Sequence, residues 1–455
     1  MKNGKRSSFS GKLGYVLAAA GASVGLGNIW RFPYLAAKYG GGIFLIIYIV
    51  LALTFGYTMI VAETAIGRMT RKSPVGAFKS FGKKKWLSFG GWINAVIPVL
   101  IVPYYSVIGG WVIKYLVEYF RGNAKQLAED GYFTDFISNG VSTELCFVAF
   151  CAFTLIIIFA GVQNGIERVS KIMMPILIVL SVIIAVYSVT RPGALEGVKY
   201  FLVPNVKNFS WMTVVAAMGQ MFYSLSIAMG ILITFGSYMK KDTAIEDSTR
   251  NVEIFDTGIA IMAGLMIIPA VFAFSGGDPD TLQAGPSLMF ITIPKVFQNM
   301  GFGTVIGIVF FLLVLFAAVT SSIALTESAV STFEDELGWG RKKATVLVGV
   351  IMLALGSLSS LGYGPLAGIK IIGMQFLDLF DFLTNSVMMP IAALLTSLFV
   401  SRVVGIDKIE EEIIHGESAF RRKKVFVVMI KYLCPVFAII ILLSSVANAL
   451  GWIKM

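Results

Sequence analysis

The chain has 455 residues, of which 57% are hydrophobic and 14% are charged, and its mean hydropathy is +0.81. This composition excludes an ordinary soluble domain and predicts a polytopic membrane protein. The net charge of +11 does not indicate nucleic-acid binding, because most Lys and Arg residues lie in alternate loops between apolar segments, as they do in membrane proteins.

Apolar runs that are long enough to cross a bilayer as a helix occur eleven times. The predicted spans are 13–37, 42–68, 88–120, 143–161, 167–189, 211–239, 252–275, 302–334, 343–361, 371–401 and 427–449. Basic clusters precede span 1 and follow spans 2, 6, 8 and 10, so we expect a cytoplasmic N-terminal segment 1–12 and, with an odd number of spans, an external C-terminus. Segment 276–301 then becomes a long external loop, which we expect to act as a lid.

Span 1 contains a glycine-rich stretch with Gly21, Gly25 and Gly27. Each glycine costs a helix about 1 kcal/mol relative to alanine, so the stretch predicts a break. Backbone N–H and carbonyl groups that leave a helix at membrane depth must bond to protein, water or a ligand. Carbonyl groups at such a break can coordinate Na⁺, and the N-terminus of a half-helix can bind an anion. The alternative is close helix packing through glycine. The neighbouring Asn28 and Arg31 favour the break.

Span 6 carries a second interruption, at residues 224–230, five spans after the first. Two interrupted segments in matching positions are typical of transporters built from inverted repeats. We therefore expect one transport domain over 1–455, with repeat 1 over 13–189, repeat 2 over 211–401 and an additional helix at 427–449.

Ionisable residues inside the spans are costly and indicate function. Four stand out: Arg31, Glu63, Asp256 and Asp381. Asp256, together with neutral oxygens from Ser23, Asn28 and Ser224, would make a small hard-oxygen site that suits Na⁺. The alternative for Asp256 is a structural carboxylate bonded to helix-end amides.

Two further features leave alternatives open. The hydroxyls of Thr320, Ser321 and Ser322 in span 8 either bond back to their own helix or face the broken carbonyls of span 1 as a second cation site. Arg31 and Asp381 could form an ion pair. The pair would be a gate if it opens and closes, and a structural strut if it is permanent.

Several motifs together resemble the neurotransmitter:sodium symporter family, and the resemblance covers essentially the whole chain. The motifs are the run Gly25–Pro33, the run Gly40–Phe44, Glu63 with Gly67 and Arg68, Gly219 and Gln220 before Ser224, and the run Thr320–Ile323. The resemblance implies an all-α membrane protein with the LeuT-type fold, two inverted five-helix repeats with broken helices 1 and 6, and one extra helix. Eleven spans with short loops resemble the bacterial branch, which implies a bacterial inner-membrane protein.

The family's functional residues carry over to matching positions of this chain. One sodium site would use Ser23, Asn28, Ser224 and Asp256 with the substrate carboxylate. The second would use Gly21, Val24, Ala317, Thr320 and Ser321. The substrate site would comprise Ser23, Gly25, Leu26, Gly27, Ile101, Tyr105, Tyr223, Ser224, Ser226, Met229, Ser321 and Leu325. The resemblance further implies an outer gate of Arg31 and Asp381, an inner gate of Arg6, Tyr238 and Asp335, and a helix-5 unwinding motif at Gly165 and Pro175.

Departures from the family pattern refine these expectations. Gly25 stands where monoamine-selective members have Asp, which favours an intact amino acid as the substrate. Asp256 stands where Asn is common, and its built-in charge predicts independence from chloride. Ala228 stands where Gly is common. The side-chain pocket is apolar with a few hydroxyls, so we expect hydrophobic amino acids, aromatic ones ahead of leucine.

The sequence therefore predicts a Na⁺-coupled amino-acid symporter with two sodium ions, working by alternating access in a lipid bilayer. The alternative is a proton-coupled or exchange transporter of the same fold, in which Asp256 titrates. An enzyme is disfavoured, because there is no nucleophile–base constellation and no metal motif, and the chain has a single histidine. A non-transporting sensor would carry an appended soluble domain.

Overall fold

The computed structural model describes residues 6–276, 285–449 and Trp452. Regular secondary structure within these ranges is helical, and they contain no β-strand. The fold is therefore all-α, as predicted. The main helices are α1 Lys12–Ser23, α2 Gly27–Lys38, α3 Gly42–Thr70, α4 Lys85–Phe120, α5 Gly140–Phe159, α6 Val162–Val189, α7 Trp211–Ser224, α8 Ile231–Ser237, α9 Ile245–Ser275, α10 Leu288–Gln298, α11 Gly303–Leu337, α12 Arg341–Leu361, α13 Phe376–Val404 and α14 Lys423–Asn448.

Nine of these described helices are long and apolar enough to cross a membrane, and α1 with α2 makes a tenth if the bent pair is one span. The pair bends by 54° between Ser23 and Gly27. The predicted sixth span consists of two shorter helices, α7 with 14 residues and α8 with 7 residues. The count of eleven spans therefore stays a prediction, whereas both predicted interruptions are present in the described chain.

Local sequence signals explain where several helices begin. The Ser210 hydroxyl accepts from the backbone N–H of Thr213 at 3.1 Å and so starts α7, and the Asn139 side chain accepts from the backbone N–H of Ser142 at 3.0 Å and starts α5. Helix α4 runs for 36 residues, which at 1.5 Å per residue exceeds the roughly 30 Å hydrocarbon core. It must therefore tilt or project from the bilayer.

The broken helices lie at the centre of the bundle. Helix α1 packs against α6, α9 and α11, and α8 packs against α3 and α11. The residues of α1 from Gly14 to Ser23 are all buried. The packing leaves two ends, which we name the N-terminal end, where Arg6 and Lys12 lie, and the opposite end, where Arg31 and Asp381 lie.

The predicted lid is described in part, since residues 277–284 lie outside the described ranges. Residues 288–298 form α10, and Leu288, Met289 and Phe290 in it are buried. The Tyr115 hydroxyl of α4 donates to the Phe290 carbonyl at 2.8 Å. This part of the loop thus folds back onto the bundle, as expected, although its role as a lid stays a prediction.

Two glycines let the backbones of α3 and α8 touch. A Cβ placed on Gly67 would lie 2.0 Å from the Ile233 carbonyl oxygen, and one on Gly236 would lie 2.4 Å from the Thr64 carbonyl oxygen. Small residues at such contacts are how membrane helices approach closely. Because the opposing atoms are backbone, no side-chain rotation can relieve the overlap.

We expect Gly67→Ala to destabilise the protein by about 1–3 kcal/mol, the usual range for overpacking. The matched control is Gly258→Ala on α9, where an added Cβ would have nothing within 4 Å. Thermal unfolding of the purified protein in detergent checks this: the midpoint should fall for Gly67→Ala and should rise or stay the same for Gly258→Ala, because alanine is the better helix former. Equal midpoints for the two variants would contradict the close contact.

Candidate functional site

The break between α7 and α8 has an unusual backbone. Ser226, Ala228 and Gly230 all have positive φ, at 53°, 58° and 69°. The buried Glu63 carboxylate accepts the Ala228 N–H at 2.8 Å, and its second oxygen has no partner among the described residues. Backbone that alternates into the left-handed region presents N–H groups to an anion. Glu63 on α3 thus accepts an N–H group of this break.

The two breaks are bonded to each other. The Ser226 hydroxyl donates to the Ala22 carbonyl at 2.9 Å, and the Gln220 amide donates to the Gly27 carbonyl at 3.0 Å. The Ala22 carbonyl lies in the last turn of α1, whereas the Gly27 carbonyl also accepts the Phe32 N–H of its own helix. Gln220 belongs to one of the family motifs, but the sequence does not predict it as a site residue.

A cavity of about 360 Å³ lies between the breaks. Its lining includes all twelve predicted substrate-site residues, with Ala22 and Asn28 in addition. The lining residues are Ala22, Ser23, Gly25, Leu26, Gly27, Asn28, Ile101, Tyr105, Tyr223, Ser224, Ser226, Met229, Ser321 and Leu325. This set contains no charged side chain, so the cavity suits a ligand with an apolar side chain.

The backbone at the start of α2 forms one wall of the cavity. The Tyr105 hydroxyl accepts from the Leu26 N–H at 3.3 Å. A Cβ on Gly25 would lie 2.7 Å from the Ser321 hydroxyl oxygen and 3.1 Å from the Tyr105 hydroxyl. The absence of a side chain therefore lets these two hydroxyls lie close to the backbone at the N-terminus of α2, a position that favours negative charge.

Asp256 on α9 lies in a fully buried cluster beside the cavity. Its carboxylate accepts from the Asn28 amide at 2.8 Å and from the Ser224 hydroxyl at 2.9 Å. The Tyr48 hydroxyl of α3 also donates to it, at 2.9 Å. Ser23 lies nearby, but its hydroxyl donates to the Ala19 carbonyl at 3.1 Å.

The contacts of Asp256 decide between its two interpretations. The donors that reach it in the described chain are side chains, so it is not a carboxylate bonded to helix-end amides. Sequence reasoning missed Tyr48, and a hydroxyl within the apolar span 2 was its one signal. In the described chain no three His, Cys, Asp or Glu side chains group to hold a metal. One carboxylate among neutral oxygens instead suits a monovalent hard cation.

The second predicted ion site lies where α1 ends against α11. The Ser321 hydroxyl is 3.2 Å from the Gly21 carbonyl and 3.3 Å from the Val24 carbonyl. The Thr320 hydroxyl instead bonds back to its own helix, at 2.9 Å from the Phe316 carbonyl and 3.2 Å from that of Ala317. The Thr320 hydroxyl therefore bonds back to its own helix, whereas the Ser321 hydroxyl faces the carbonyls of α1. The five residues predicted for the second sodium site lie together.

A larger cavity of about 1,870 Å³ opens toward the opposite end of the bundle. Arg31, Asp381 and Tyr223 line it, and Tyr223 also lines the central cavity. Arg31 and Asp381 form no ion pair within 4 Å in the described chain. Asp381 accepts from Tyr104 at 3.2 Å, and the Arg31 guanidinium lies 5.3 Å from the centre of the Tyr223 ring. The predicted outer pair is thus apart in this conformation, so it is not a permanent strut.

The N-terminal end is closed. Arg6 contacts Asp335 at 2.5 Å, Ser331 at 2.8 Å and Ser237 at 2.9 Å, and it lies over the Tyr238 ring. Burial lowers the pKa of the Arg6 guanidinium, but the Coulomb interactions with Tyr238 and Asp335 outweigh it and raise the pKa above its usual value. The three predicted inner residues therefore lie together.

A second buried ion pair continues this closure. The Tyr238 hydroxyl donates to Glu327 at 2.7 Å, and Arg341 donates to Glu327 at 2.5 and 3.0 Å. Glu327 is fully buried in α11. The sequence predicts Tyr238 in the gate but not Glu327 or Arg341, because a glutamate in span 8 alone does not reveal its partner at the start of α12.

The start of α6 holds the N-terminal segment. Gly165 lies in a π-helical turn, Val162–Glu167, and Pro175 lies inside the helix that follows. The Glu167 carboxylate accepts the Ser10 N–H at 2.8 Å, and Gln163 donates to the Ser8 carbonyl at 2.7 Å. The predicted unwinding motif therefore adjoins the closed N-terminal end.

Two broken helices that enclose a central cavity, with a larger cavity at one end of the bundle and a bonded network at the other, define a membrane transporter of the broken-helix class. A family profile described as the sodium:neurotransmitter symporter family matches residues 6–130 and 118–452. The chain belongs to this family. It is therefore a sodium-dependent multi-pass membrane transporter and not an enzyme, as the sequence predicts.

Individual relatives agree with this assignment. The chain is 34% identical over 450 residues to the uncharacterized sodium-dependent transporter YhdH of Bacillus subtilis, covering 98% of this chain and 99% of the relative. It is 32% identical over 460 residues to an uncharacterized sodium-dependent transporter of Haemophilus influenzae, covering 97% and 99%. The crystal structure of MhsT in complex with L-phenylalanine superposes with a TM-score of 0.86 at 35% identity, covering 97% of this chain and 100% of MhsT.

We expect Ala228→Gly to raise the unfolding midpoint. Ala228 has φ 58°, where a side chain costs about 1–2 kcal/mol, and glycine removes that cost. The matched control is Ala217→Gly within α7, where glycine costs a helix about 1 kcal/mol. Thermal unfolding in detergent should therefore shift in opposite directions for the two variants. A lower midpoint for both would show that the break is not strained at Ala228.

Proposed function

We propose that the protein couples sodium entry to symport of a hydrophobic or aromatic L-amino acid by alternating access. The observation that carries this proposal is the buried Asp256 cluster, which borders the uncharged central cavity through the shared residues Asn28 and Ser224. A cation in the cluster and an amino-acid carboxylate in the cavity would be close enough to stabilise each other.

Two sodium ions fit the available oxygens. The first would use Asn28, Ser224 and Asp256, with Ser23 after its hydroxyl leaves the Ala19 carbonyl. The second would use the carbonyls of Gly21, Val24 and Ala317 with the hydroxyls of Thr320 and Ser321. Both sets consist of hard oxygen ligands with few formal charges, which favours sodium at modest affinity.

The substrate is inferred from the cavity and from a relative. The N-terminus of α2, where the Tyr105 hydroxyl accepts the Leu26 N–H, suits a carboxylate. The remaining lining is apolar with a few hydroxyls, so a charged substrate side chain would be desolvated without a partner. The related MhsT was crystallised with L-phenylalanine. Aromatic amino acids are therefore expected to be preferred over leucine.

The asymmetry of the two ends supports alternating access. Arg31 and Asp381 are apart while the Arg6 and Asp335 pair is formed, so the two ends are in different bonding states. Substrate and sodium binding would draw the outer pair together, and opening of the N-terminal end would then release the cargo. Gly165 and Pro175 would let α6 unwind during that release. By the positive-inside rule the N-terminal end would face the cytoplasm, in the bacterial inner membrane that the family resemblance implies.

Asp256 also supports independence from chloride. Its carboxylate supplies a fixed negative charge beside the proposed first sodium site, bonded to Tyr48 and Ser224. A bound anion would duplicate that charge in a low-dielectric interior, which is unfavourable.

Uptake into proteoliposomes tests the proposal. We expect uptake of radiolabelled tryptophan, tyrosine and leucine to require a sodium gradient, to continue when gluconate replaces chloride, and to stop in Asp256→Ala and Thr320→Ala. Each variant loses one ligand of a sodium ion, so the apparent sodium affinity should fall at least about tenfold. A hydrogen bond to a charged group contributes about 1.5–3 kcal/mol of free energy, and we expect a loss of similar size here.

The control is sodium replaced by choline. Uptake in choline driven by a pH gradient would contradict sodium coupling and support the alternative in which Asp256 carries a proton. Uptake that stops without chloride would contradict the role given to the Asp256 charge. Failure to transport any of the three amino acids would refute the interpretation of the cavity.

The inner closure gives a second test. We expect Arg6→Ala to open the N-terminal end and to lower amino-acid binding in sodium about five- to tenfold, because fewer molecules remain in the binding-competent conformation. A cysteine at Thr234, in a background without the native cysteines, should react faster with maleimide.

Lys12→Ala is the matched control for Arg6→Ala. Lys12 pairs with Asp247, but both side chains are more than 40% exposed, and such pairs contribute little. Equal effects of the two substitutions on binding and labelling would show that general N-terminal charge, not the Arg6 closure, is responsible.

A further inference from the structure

A groove on the outer surface of the bundle lies apart from the transport cavity. It has a volume of about 650 Å³ and lies between α3, α9 and the residue before α14. The lining residues are Ile49, Leu53, Arg250, Glu253, Ile254, Thr257, Gly258 and Arg422. The transport mechanism uses none of these residues.

One part of the groove is apolar and faces the membrane. Leu53 is 46% exposed and Ile254 is 58% exposed, on helices that are long enough to span a bilayer. Gly258 leaves a gap, since an added Cβ would have nothing within 4 Å. This part of the groove fits an acyl chain that lies along α9.

The other part of the groove presents guanidinium groups. Arg250 is exposed and has no ion-pair partner within 4 Å in the described ranges. Arg422 lies 4.6 Å from the centre of the Tyr57 ring and 3.3 Å from a Glu253 oxygen. Arginine pairs with phosphate through charge-assisted hydrogen bonds, so two such groups at the end of an apolar groove suit a phosphate head group.

The carboxylates around these arginines are already bonded, with one exception. Glu246 accepts the backbone N–H groups of Arg421 and Arg422 at 2.8 and 2.9 Å, and Asp247 pairs with Lys12. Glu253 is 2% exposed; one of its oxygens bonds to Arg422 and the other has no partner among the described residues. An unpartnered buried carboxylate oxygen is costly, so this residue has acceptor capacity for an additional N–H donor.

We propose that this groove binds a phospholipid whose head group carries both a phosphate and a primary ammonium, such as phosphatidylethanolamine. The phosphate would accept from Arg250 and Arg422, the ammonium would donate to Glu253, and an acyl chain would fill the space over Gly258. A quaternary ammonium head group has no N–H to donate, and a head group without an amine leaves the second Glu253 oxygen without a donor. The groove therefore distinguishes head groups by hydrogen-bonding capacity.

Native mass spectrometry of the purified, delipidated full-length chain tests this. It is titrated with dioleoyl phosphatidylethanolamine, phosphatidylcholine and phosphatidylglycerol, which share their acyl chains. We expect the ethanolamine lipid to bind about tenfold tighter than the other two, the difference that one charge-assisted hydrogen bond supplies. Glu253→Gln should remove the preference over choline, and Arg250→Gln should weaken all three lipids.

Two further variants make the result specific. Arg421→Gln removes the same charge from an arginine that does not line the groove and should leave binding unchanged. Gly258→Leu fills the apolar part and should weaken ethanolamine-lipid binding while the unfolding midpoint is retained. The proposal would be overturned if phosphatidylethanolamine and phosphatidylcholine bound equally, or if phosphatidylglycerol bound more tightly than phosphatidylethanolamine. Equal effects of Arg250→Gln and Arg421→Gln on lipid binding would also overturn it.

Discussion

The structure depends on how polar backbone groups are satisfied where two helices break inside an apolar bundle. A helix interrupted at membrane depth exposes N–H and carbonyl groups that no lipid can bond. Here Glu63 accepts an N–H from the second break, while Ser226 and Gln220 donate to carbonyls of the first. Each break is thus stabilised by the other or by a neighbouring helix. The backbone of the two breaks borders the cavity, where it is bonded mostly by side-chain hydroxyls and amides that ions or a substrate could replace.

The same interactions explain why one side of the bundle is closed. The Arg6 network and the Glu327–Arg341 pair place several charge-assisted hydrogen bonds at the N-terminal end. At the opposite end Asp381 bonds to neutral Tyr104, and Arg31 lies against Tyr223. The two ends therefore differ in bonded charge, not in shape alone. Alternating access requires the N-terminal bonds to be exchanged for a formed Arg31–Asp381 pair, and bound cargo must supply the difference in free energy between the two arrangements.

The sequence predicts much of this arrangement because glycine breaks and buried charges are local signals. The breaks near Gly25 and Ser226, the lining of the cavity and the meeting of Arg6 with Asp335 all follow from motifs at fixed positions. Tyr48, Glu327 and Arg341 could not be recognised, because their importance depends on which helices become neighbours. The same limit applies to hydroxyl direction: Ser23 and Thr320 bond within their own helices, whereas Ser321 reaches the carbonyls of α1. Rotamer and partner are set by tertiary packing, which a single sequence does not show.

The modest charge of the ion sites is itself consistent with transport. A site with several carboxylates would hold a cation tightly and release it slowly, whereas neutral oxygens with one carboxylate bind weakly enough to exchange. A substrate carboxylate beside Asn28 would then raise sodium affinity. By reciprocity sodium would raise substrate affinity by the same factor, and such a coupling free energy is typically about 1–3 kcal/mol. Gly25 keeps the backbone at the start of α2 close to the hydroxyls of Ser321 and Tyr105, since a Cβ there would lie only 2.7 Å from the Ser321 oxygen. The absence of one side chain thus links the fold of the broken helix to the coupling that we propose.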